Sequence, residues 1–187
     1  MTIYQPQEDS EFLAQYVREY AQGKVLDMGT GSGIQAITAA QNKNVTAVIA
    51  TDKNPAATLA LQEKIKNDRK KTIKKIIIQQ SDMFSKLQEE KFDTIICNPP
   101  YLPDDKNAKD IALDGGPKGY EWSIAFLKQA KDHLQKNGQL LFLFSSLTNK
   151  ERIDNELKKL RYAHEEIGML ALGFFEKLYV YQIWRKA

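Results

Sequence analysis

Residues 24–55 constrain the fold more than any other stretch. Lys24, Val25, Leu26, Asp27 and Met28 read as a short strand running into Gly29. Gly29-Thr30-Gly31-Ser32-Gly33 turns the chain, and Ile34, Ala36, Ile37 and Ala40 return at helical spacing. Residues 45–51 make a second strand, closed by Asp52. Asn54 suits the cap of the next helix and Pro55 its first position. Strand, glycine turn, helix, strand is a βαβ unit, and its crossover is right-handed. A chain that opens this way builds a mostly parallel sheet with helices on both faces.

The remaining segments extend the alternation. Residues 6–22 open with Glu8, Asp9 and Glu11 and continue with Phe12, Leu13, Tyr16, Val17 and Tyr20 at helical spacing. Ile76 to Gln80 is a third strand, and Phe92 to Asn98 a fourth. Residues 102–118, rich in Asp, Lys, Pro and Gly, are too long for a plain connection, and a loop of this length is either functional or disordered. Residues 119–135 are helical, Asn137-Gly138 reads as a helix stop, and residues 139–145 form an apolar fifth strand. A charged helix follows over 149–161. Two strands, 165–172 and 176–185, flank Gly173-Phe174-Phe175 and form an antiparallel hairpin. Residues 1–187 read as one domain, a helical segment over 1–22 and an α/β core over 23–187.

Hydrophobic residues make up 42% of the chain and the net charge is +3, a globular profile with a mild basic balance. The lone Cys97 lies in the fourth strand and excludes an internal disulfide or a cysteine-based zinc site within this chain. No metal site is expected. With no apolar run long enough to span a bilayer and no signal peptide, the expectation is a cytoplasmic protein with no membrane partner. Lys64, Lys66, Arg69, Lys70, Lys71, Lys74 and Lys75 form a basic stretch. It leads into the third strand, so it belongs to the N-terminal edge of the sheet, whereas ligands bind at the carboxyl edge. A solvated face accounts for it better than a nucleic-acid contact.

Asn98-Pro99-Pro100-Tyr101 ends the fourth strand at that carboxyl edge. Neither proline donates to a ladder, and the pair holds the backbone stiff. Asn98 is thereby presented with little freedom. Its side-chain carbonyl and the Pro99 carbonyl are two fixed acceptors, which suit a planar group bearing NH2. Tyr101 adds an aromatic wall. Asn98, Pro99 and Tyr101 are the candidate catalytic residues, with Pro100 beside them against the substrate.

Asp27-Met28-Gly29-Thr30-Gly31-Ser32-Gly33 resembles the first motif of class I S-adenosylmethionine-dependent methyltransferases. A dinucleotide fingerprint needs two residues between its second and third glycines; here one separates each pair. The acid at Asp27 would repel a pyrophosphate and attract a sulfonium and an ammonium. The resemblance covers nearly the whole chain and implies the family's seven-stranded Rossmann-like sheet, ordered 3-2-1-4-5-7-6, with strand seven antiparallel. It implies S-adenosyl-L-methionine as cofactor, held by Ser10, Asp27, Gly29, Thr30, Gly31, Asp52, Asp82, Met83 and Asn98. Asp52 would accept from ribose hydroxyls, and it equally suits the turn before a helix. Asp82 would meet the adenine amine or serve as a turn acid. Ser10 would touch the cofactor or cap a helix. Met83 and Phe84 would flank the adenine or join the core.

The Asn-Pro-Pro-Tyr tetrapeptide resembles that of enzymes methylating a planar NH2 nitrogen. Tyr4-Gln5-Pro6-Gln7-Glu8-Asp9-Ser10 is similar to the opening of the compact archaeal and eukaryotic release-factor glutamine-N5 methyltransferases. Ala112-Leu113-Asp114-Gly115-Gly116-Pro117-Lys118-Gly119-Tyr120-Glu121 resembles a second segment of that family. The resemblance implies, as substrate, the glutamine amide in the Gly-Gly-Gln loop of a class 1 translation release factor. It also implies a small zinc-binding activator protein, for which the Ile76 to Gln80 edge is a candidate docking strand; Lys74 and Lys75 would otherwise guard that edge. Two readings stand beside this one. One is an adenine-N6 or guanine-N2 methyltransferase acting on DNA, rRNA or tRNA; the other is a non-catalytic scaffold. Phe174 and Phe175 stand where that family is more polar, and the sequence offers no role for them.

Overall fold

The computed structural model describes residues 8–68, 71–104 and 114–186. Seven strands form one sheet in the order β3-β2-β1-β4-β5-β7-β6. They are β1 (Gly23–Met28), β2 (Val45–Asp52), β3 (Ile76–Gln80), β4 (Phe92–Cys97), β5 (Leu134–Ser145), β6 (Tyr162–Leu172) and β7 (Glu176–Arg185). Strands β1 to β5 pair in parallel; β7 runs antiparallel between β5 and β6. The helices are α1 (Glu8–Tyr20), α2 (Ile34–Gln41), α3 (Pro55–Asn67), α4 (Glu121–His133) and α5 (Lys150–Lys159). Sheet order and the antiparallel seventh strand agree with the expected class I methyltransferase architecture.

The pleat divides the strand side chains between two cores. Leu26, Ile95, Phe142 and Tyr181 pack with Phe126 and Leu127 of α4 and Ile153 and Leu157 of α5. On the other face Val25, Val48, Ile96 and Leu141 pack with Leu13 and Val17 of α1, Ala36 and Ala40 of α2 and Leu61 of α3. Asp27 alternates with Leu26, so it points to the α2 side. Asn98 follows Cys97, which shares the α4 face, and therefore turns toward α1 and α2. Cys97 itself is a free, buried thiol.

The β1–β4 register pairs Leu26 with Ile95, Asp27 with Ile96 and Met28 with Cys97. It brings the next residues, Gly29 and Asn98, side by side at the carboxyl edge. This is where the sheet order reverses direction, the crevice in which open α/β sheets take ligands.

Three boundaries differ from the sequence reading. Helix α4 ends at His133, and Leu134 already pairs with Phe92. Asn137-Gly138 is thus no helix stop: it sits inside β5, where the pairing jumps between Phe92 and Thr94 and Gln139 resumes opposite Thr94. A turn signal cannot distinguish the end of a helix from a bulge next to it. Strand β6 begins at Tyr162 rather than at 165, because the pairing with β7 continues to Arg185. In the basic stretch, α3 carries Lys64 and Lys66 in its last turn, and a 3-10 turn spans Lys71–Lys75. Lys75 Nζ donates to the carbonyls of Asn42 and Val45, at 3.0 and 2.6 Å. Those carbonyls lie where β2 begins, at the edge opposite Asn98. Among the described residues no helix is long and apolar enough to cross a membrane.

Candidate active site

The glycine turn is held by its own chain. Gly29 and Thr30 N–H both donate to Thr51 O, at 2.9 and 2.8 Å, and Gly33 N–H donates to Thr30 O at 2.7 Å. Gly31 N–H donates to Asp52 Oδ2 at 2.9 Å. These four donors are used internally, so the loop lacks the row of free N–H groups that a pyrophosphate cradle presents. This agrees with the glycine spacing in disfavouring a dinucleotide site. Gly33 enforces the packing: its φ is 81°, and a Cβ there would stand 2.3 Å from Leu61 Cδ1 of α3. At Gly29 a Cβ would meet nothing within 4 Å, so the turn opens toward free space over the sheet edge.

Asp27 is 1% exposed. Its Oδ2 accepts from Thr30 Oγ1 at 2.6 Å and from Ala36 N at 3.0 Å. Burial raises its pKa to about 7, opposed by these two hydrogen bonds. The sequence reading set Asp27 and Thr30 against the cofactor. In the structure their side chains bond each other and tie the strand to the first turn of α2, a bracing role. Asp52 stands at the end of β2, half-buried, and joins two loops: Oδ2 takes Gly31 N–H and Oδ1 takes Asn54 N–H at 2.8 Å. Further along the edge Ser81 N–H donates to Asp52 O. Asp82 pairs with Lys53 at 2.8 Å on the surface. Met83 holds φ at 47°, a costly conformation for a non-glycine residue that clusters at ligand sites. Ser81 Oγ supports it by donating to Met83 O at 2.8 Å. Phe84 is core, stacked on Phe126 and His133.

Across the crevice, Asn98 Nδ2 donates to Asp9 Oδ2 at 2.9 Å. The bond turns the carboxamide nitrogen toward α1 and leaves the oxygen on the side away from Asp9. Asn98 Oδ1 is buried and has no hydrogen-bond partner among the described residues. A buried acceptor left so costs about 1–3 kcal/mol, and such groups mark places where a donor arrives from outside the chain. Asp9 is itself 3% exposed, and its Oδ1 accepts from Ser10 N at 2.6 Å. Ser10 O in turn accepts from Gln35 Nε2 at 2.8 Å. Helix α1 therefore bridges the glycine turn's helix and Asn98. Tyr101 packs at the edge of the α1–α2 core. Burial raises its phenol pKa, and the charges of Asp9 and Glu176 add to the rise, so the phenol stays protonated and neutral.

The segment after Tyr101 is clasped by the second glycine-rich stretch. Gly115 N donates to Leu102 O at 2.7 Å, Asp104 N to Gly116 O at 3.0 Å, and Trp122 N to Gly115 O at 2.9 Å. Gly119 has φ of 79°, and a Cβ there would lie 2.7 Å from Tyr101 O. Glu121 Oε2 accepts from Lys118 N and Tyr120 N and closes the first turn of α4. The rest of the expected functional loop, 105–113, lies outside the described residues, as do residues 1–7.

Sequence reasoning missed Asp9 as the partner of Asn98; it named only the neighbouring Ser10, and for the cofactor. The signal was present: a buried-side acid in the first turn of a helix whose apolar stripe faces the core. Choosing between adjacent polar residues needed the helix phase. Gln35 was missed for the same reason.

Comparison with known proteins gives a consistent picture. Residues 5–170 match the family model described as the methyltransferase small domain. A candidate protein N5-glutamine methyltransferase of Methanocaldococcus jannaschii is 33% identical over 188 aligned positions, covering 98% of this chain and 92% of that protein. The release factor glutamine methyltransferase of Moorella thermoacetica is 33% identical over 152, covering 74% of this chain and 52% of its own length. The chain thus spans nearly all of the archaeal relative and about half of the bacterial one. Among solved structures, the E. cuniculi Mtq2–Trm112 complex, which methylates the eRF1 translation termination factor, superposes with TM-score 0.74 at 24% identity and full coverage of both chains. That likeness shows the shared fold. On the family match and the near full-length archaeal relative, the chain belongs to the methyltransferase small domain family, among its protein-glutamine members.

Proposed function

We propose that this protein transfers a methyl group from S-adenosylmethionine to the side-chain amide nitrogen of a glutamine, in the Gly-Gly-Gln loop of a class 1 translation release factor. The observation that carries the proposal is the buried, unpartnered Asn98 Oδ1, fixed by Asp9 and aimed away from it. The protein-glutamine and release-factor relatives support the substrate.

The residues present suit the cofactor. The glycine turn is open at Gly29, Asp52 lies beside it with acceptor capacity remaining on a two-oxygen carboxylate, and Met83 presents a strained backbone farther along the same edge. Gly29, Gly31, Asp52, Asp82 and Met83 would hold the nucleoside, with Asn98 and Ser10 toward the transferring end. When bound, S-adenosylmethionine supplies an electrophilic methyl group.

Asn98 Oδ1 and the Pro99 carbonyl accept the two amide hydrogens of the glutamine. An amide nitrogen is a poor nucleophile because its lone pair is delocalised, and two acceptors on its hydrogens return density to nitrogen and fix its direction. Asp9 keeps Asn98 from rotating its own NH2 into the site, where it would repel those hydrogens. Tyr101, neutral, walls the site and removes no proton. With the donor bound, its methyl would pass to this nitrogen with the carbon–sulfur pair leaving on sulfur, while Asn98 and the Pro99 carbonyl would hold the amide until one N–H proton is lost to water. No general base is required.

The basic stretch gives little support to a DNA or RNA substrate, since Lys75 is engaged at the opposite edge of the sheet. A release-factor substrate places the enzyme in the cytoplasm, where translation ends. For a partner, β3 is a sheet edge that pairs with β2, and Ile77 on it is 59% exposed. Of the two lysines that would guard it, Lys75 is tied to carbonyls. A small zinc-binding activator protein that adds a strand here would cover Ile77; the two-protein complex among the structural neighbours supports such a partner. The deciding assay offers radiolabelled donor with intact release factor in one arm and total RNA or DNA in the other. Label in the factor, lost when its Gly-Gly-Gln glutamine is replaced, supports the proposal. Label confined to nucleic acid overturns it.

A further inference from the structure

The rim that carries Asn98 also carries a hairpin tip that the chemistry leaves unused. Strand β5 sets Phe142 opposite Cys97 and ends at Ser145. Strand β7 runs the other way and begins beside that end, with Leu178 opposite Ser145. The β6–β7 turn therefore rises from the same edge as Asn98. At its tip Phe174 is 100% exposed and Phe175 94%. Leu147, 47% exposed, stands on the 3-10 turn Ser146–Thr148, which is fastened to the hairpin where Lys177 N donates to Ser146 Oγ. Scattered exposed apolar residues are ordinary, but adjoining large ones at the rim of a site mark a contact surface.

From the tip a groove of about 410 Å³ runs between α1 and the end of β6, lined by Glu8, Glu11, Phe12 and Gln15 on one side and Leu172 and Gly173 on the other. It holds two carboxylates over an apolar floor and, among the described residues, no basic side chain. Glu8 adjoins Asp9, whose carboxylate orients Asn98. Glu176, at the root of the tip, accepts from Ser145 Oγ at 2.6 Å and lies close enough to Tyr101 for its charge to act on the phenol. The groove therefore carries two carboxylates close to the tip, where Lys177 is the one exposed cation beside Glu176 among the described residues. Phosphates are repelled by such a rim; a polypeptide carrying basic and aliphatic side chains is attracted.

We propose that the Phe174–Phe175 tip and the α1–β6 groove together grip a basic, partly apolar segment of the protein substrate that lies outside the acceptor loop. The proposal rests on the protein-substrate reading above. It is tested by steady-state methylation of intact release factor with three proteins: wild type, Phe174→Ser with Phe175→Ser, and Glu8→Gln with Glu11→Gln. The expected result is a KM about tenfold higher for the aromatic variant and about threefold higher for the charge variant, which also loses most of the salt dependence of KM. Turnover at saturating factor, donor affinity and melting temperature stay at wild-type values. If the wild type labels the factor and both variants match it in KM, the docking proposal fails and the function stands. A fall in kcat or donor affinity places these residues in the reacting centre or the fold and overturns it as well. So does a wild-type dimer that the aromatic substitutions dissociate without changing KM, which assigns the tip to a second copy. Failure of the wild type to label the factor, with label in RNA, overturns both.

Discussion

Asp9 and Asn98 are joined across the crevice by a 2.9 Å bond from Nδ2 to Oδ2. The bond makes a first-turn acid of α1 responsible for the direction of the amide at the end of β4. Asp9→Ala removes the acceptor and lets the Asn98 carboxamide turn over. The expected outcome is a fall in kcat of about 100-fold, the scale of an ångström-sized misplacement, with donor affinity within threefold. Asp9→Asn restores an acceptor and recovers most of the rate. Single-turnover kinetics with a parallel donor titration separate the two effects; equal losses for both variants would show that charge, not orientation, is what Asp9 contributes.

Asn98→Ala removes the unpartnered acceptor and abolishes transfer, by about 1000-fold or more. Asn98→Asp keeps an oxygen in the site but sets a carboxylate against Asp9, so it fails too, and it lowers the melting temperature more than Asn98→Ala, which only removes a donor to Asp9. Calorimetric donor binding and thermal melting check both. Substantial turnover by either variant contradicts the assigned role.

Burial of Asp27 gives the fold a pH dependence of unusual sign. The folded chain holds this proton up to about pH 7, against an ordinary value of 3.8. Between those limits the folded state binds more protons than the unfolded one, so stability falls as pH rises, by up to about 1.4 kcal/mol per unit. One oxygen, Oδ2, takes both hydrogen bonds, and the single carbonyl of an amide can do the same. Asp27→Asn should therefore keep the brace and flatten the slope between pH 4 and 7. Denaturant melts across that range measure it; an unchanged slope would assign the dependence to other groups.

Gly119→Ala drives a Cβ toward Tyr101 O at 2.7 Å from a left-handed backbone. The neighbour is main chain and cannot swing aside. We expect a loss of about 1–3 kcal/mol of stability and a lower kcat, since the displaced segment is the one that carries Pro100 and Tyr101. Thermal melting and turnover at saturating substrate report the two losses.

The fold was legible because its period changes were clean. Val25 to Met28 and Phe92 to Cys97 are buried strands that end in residues unable to continue a ladder, and the helices between them keep one apolar stripe. The errors fell where two structures share one signal, as at Asn137-Gly138, where a glycine beside a helix end is also the residue a bulge needs. In the site, Asn98 could be read directly, since the two prolines leave it one place to be. Asp9 could not, because its importance comes from the angle at which α1 crosses the sheet edge. The partners of Asp27 within the chain, Thr30 and Ala36, could not be read: the sequence shows an acid beside a glycine turn but not which way the pleat points it.

The pairing of Met28 with Cys97 governs how the candidate site assembles. The glycine turn and Asn98 follow separate strands, β1 and β4, that pair directly with each other in a ladder. Sliding that ladder by a single position would send the amide to the α4 side, with the whole strand's side chains inverted. Backbone pairing is thus the alignment gauge of this enzyme, set once when the sheet zips up and checked by every buried side chain along both strands.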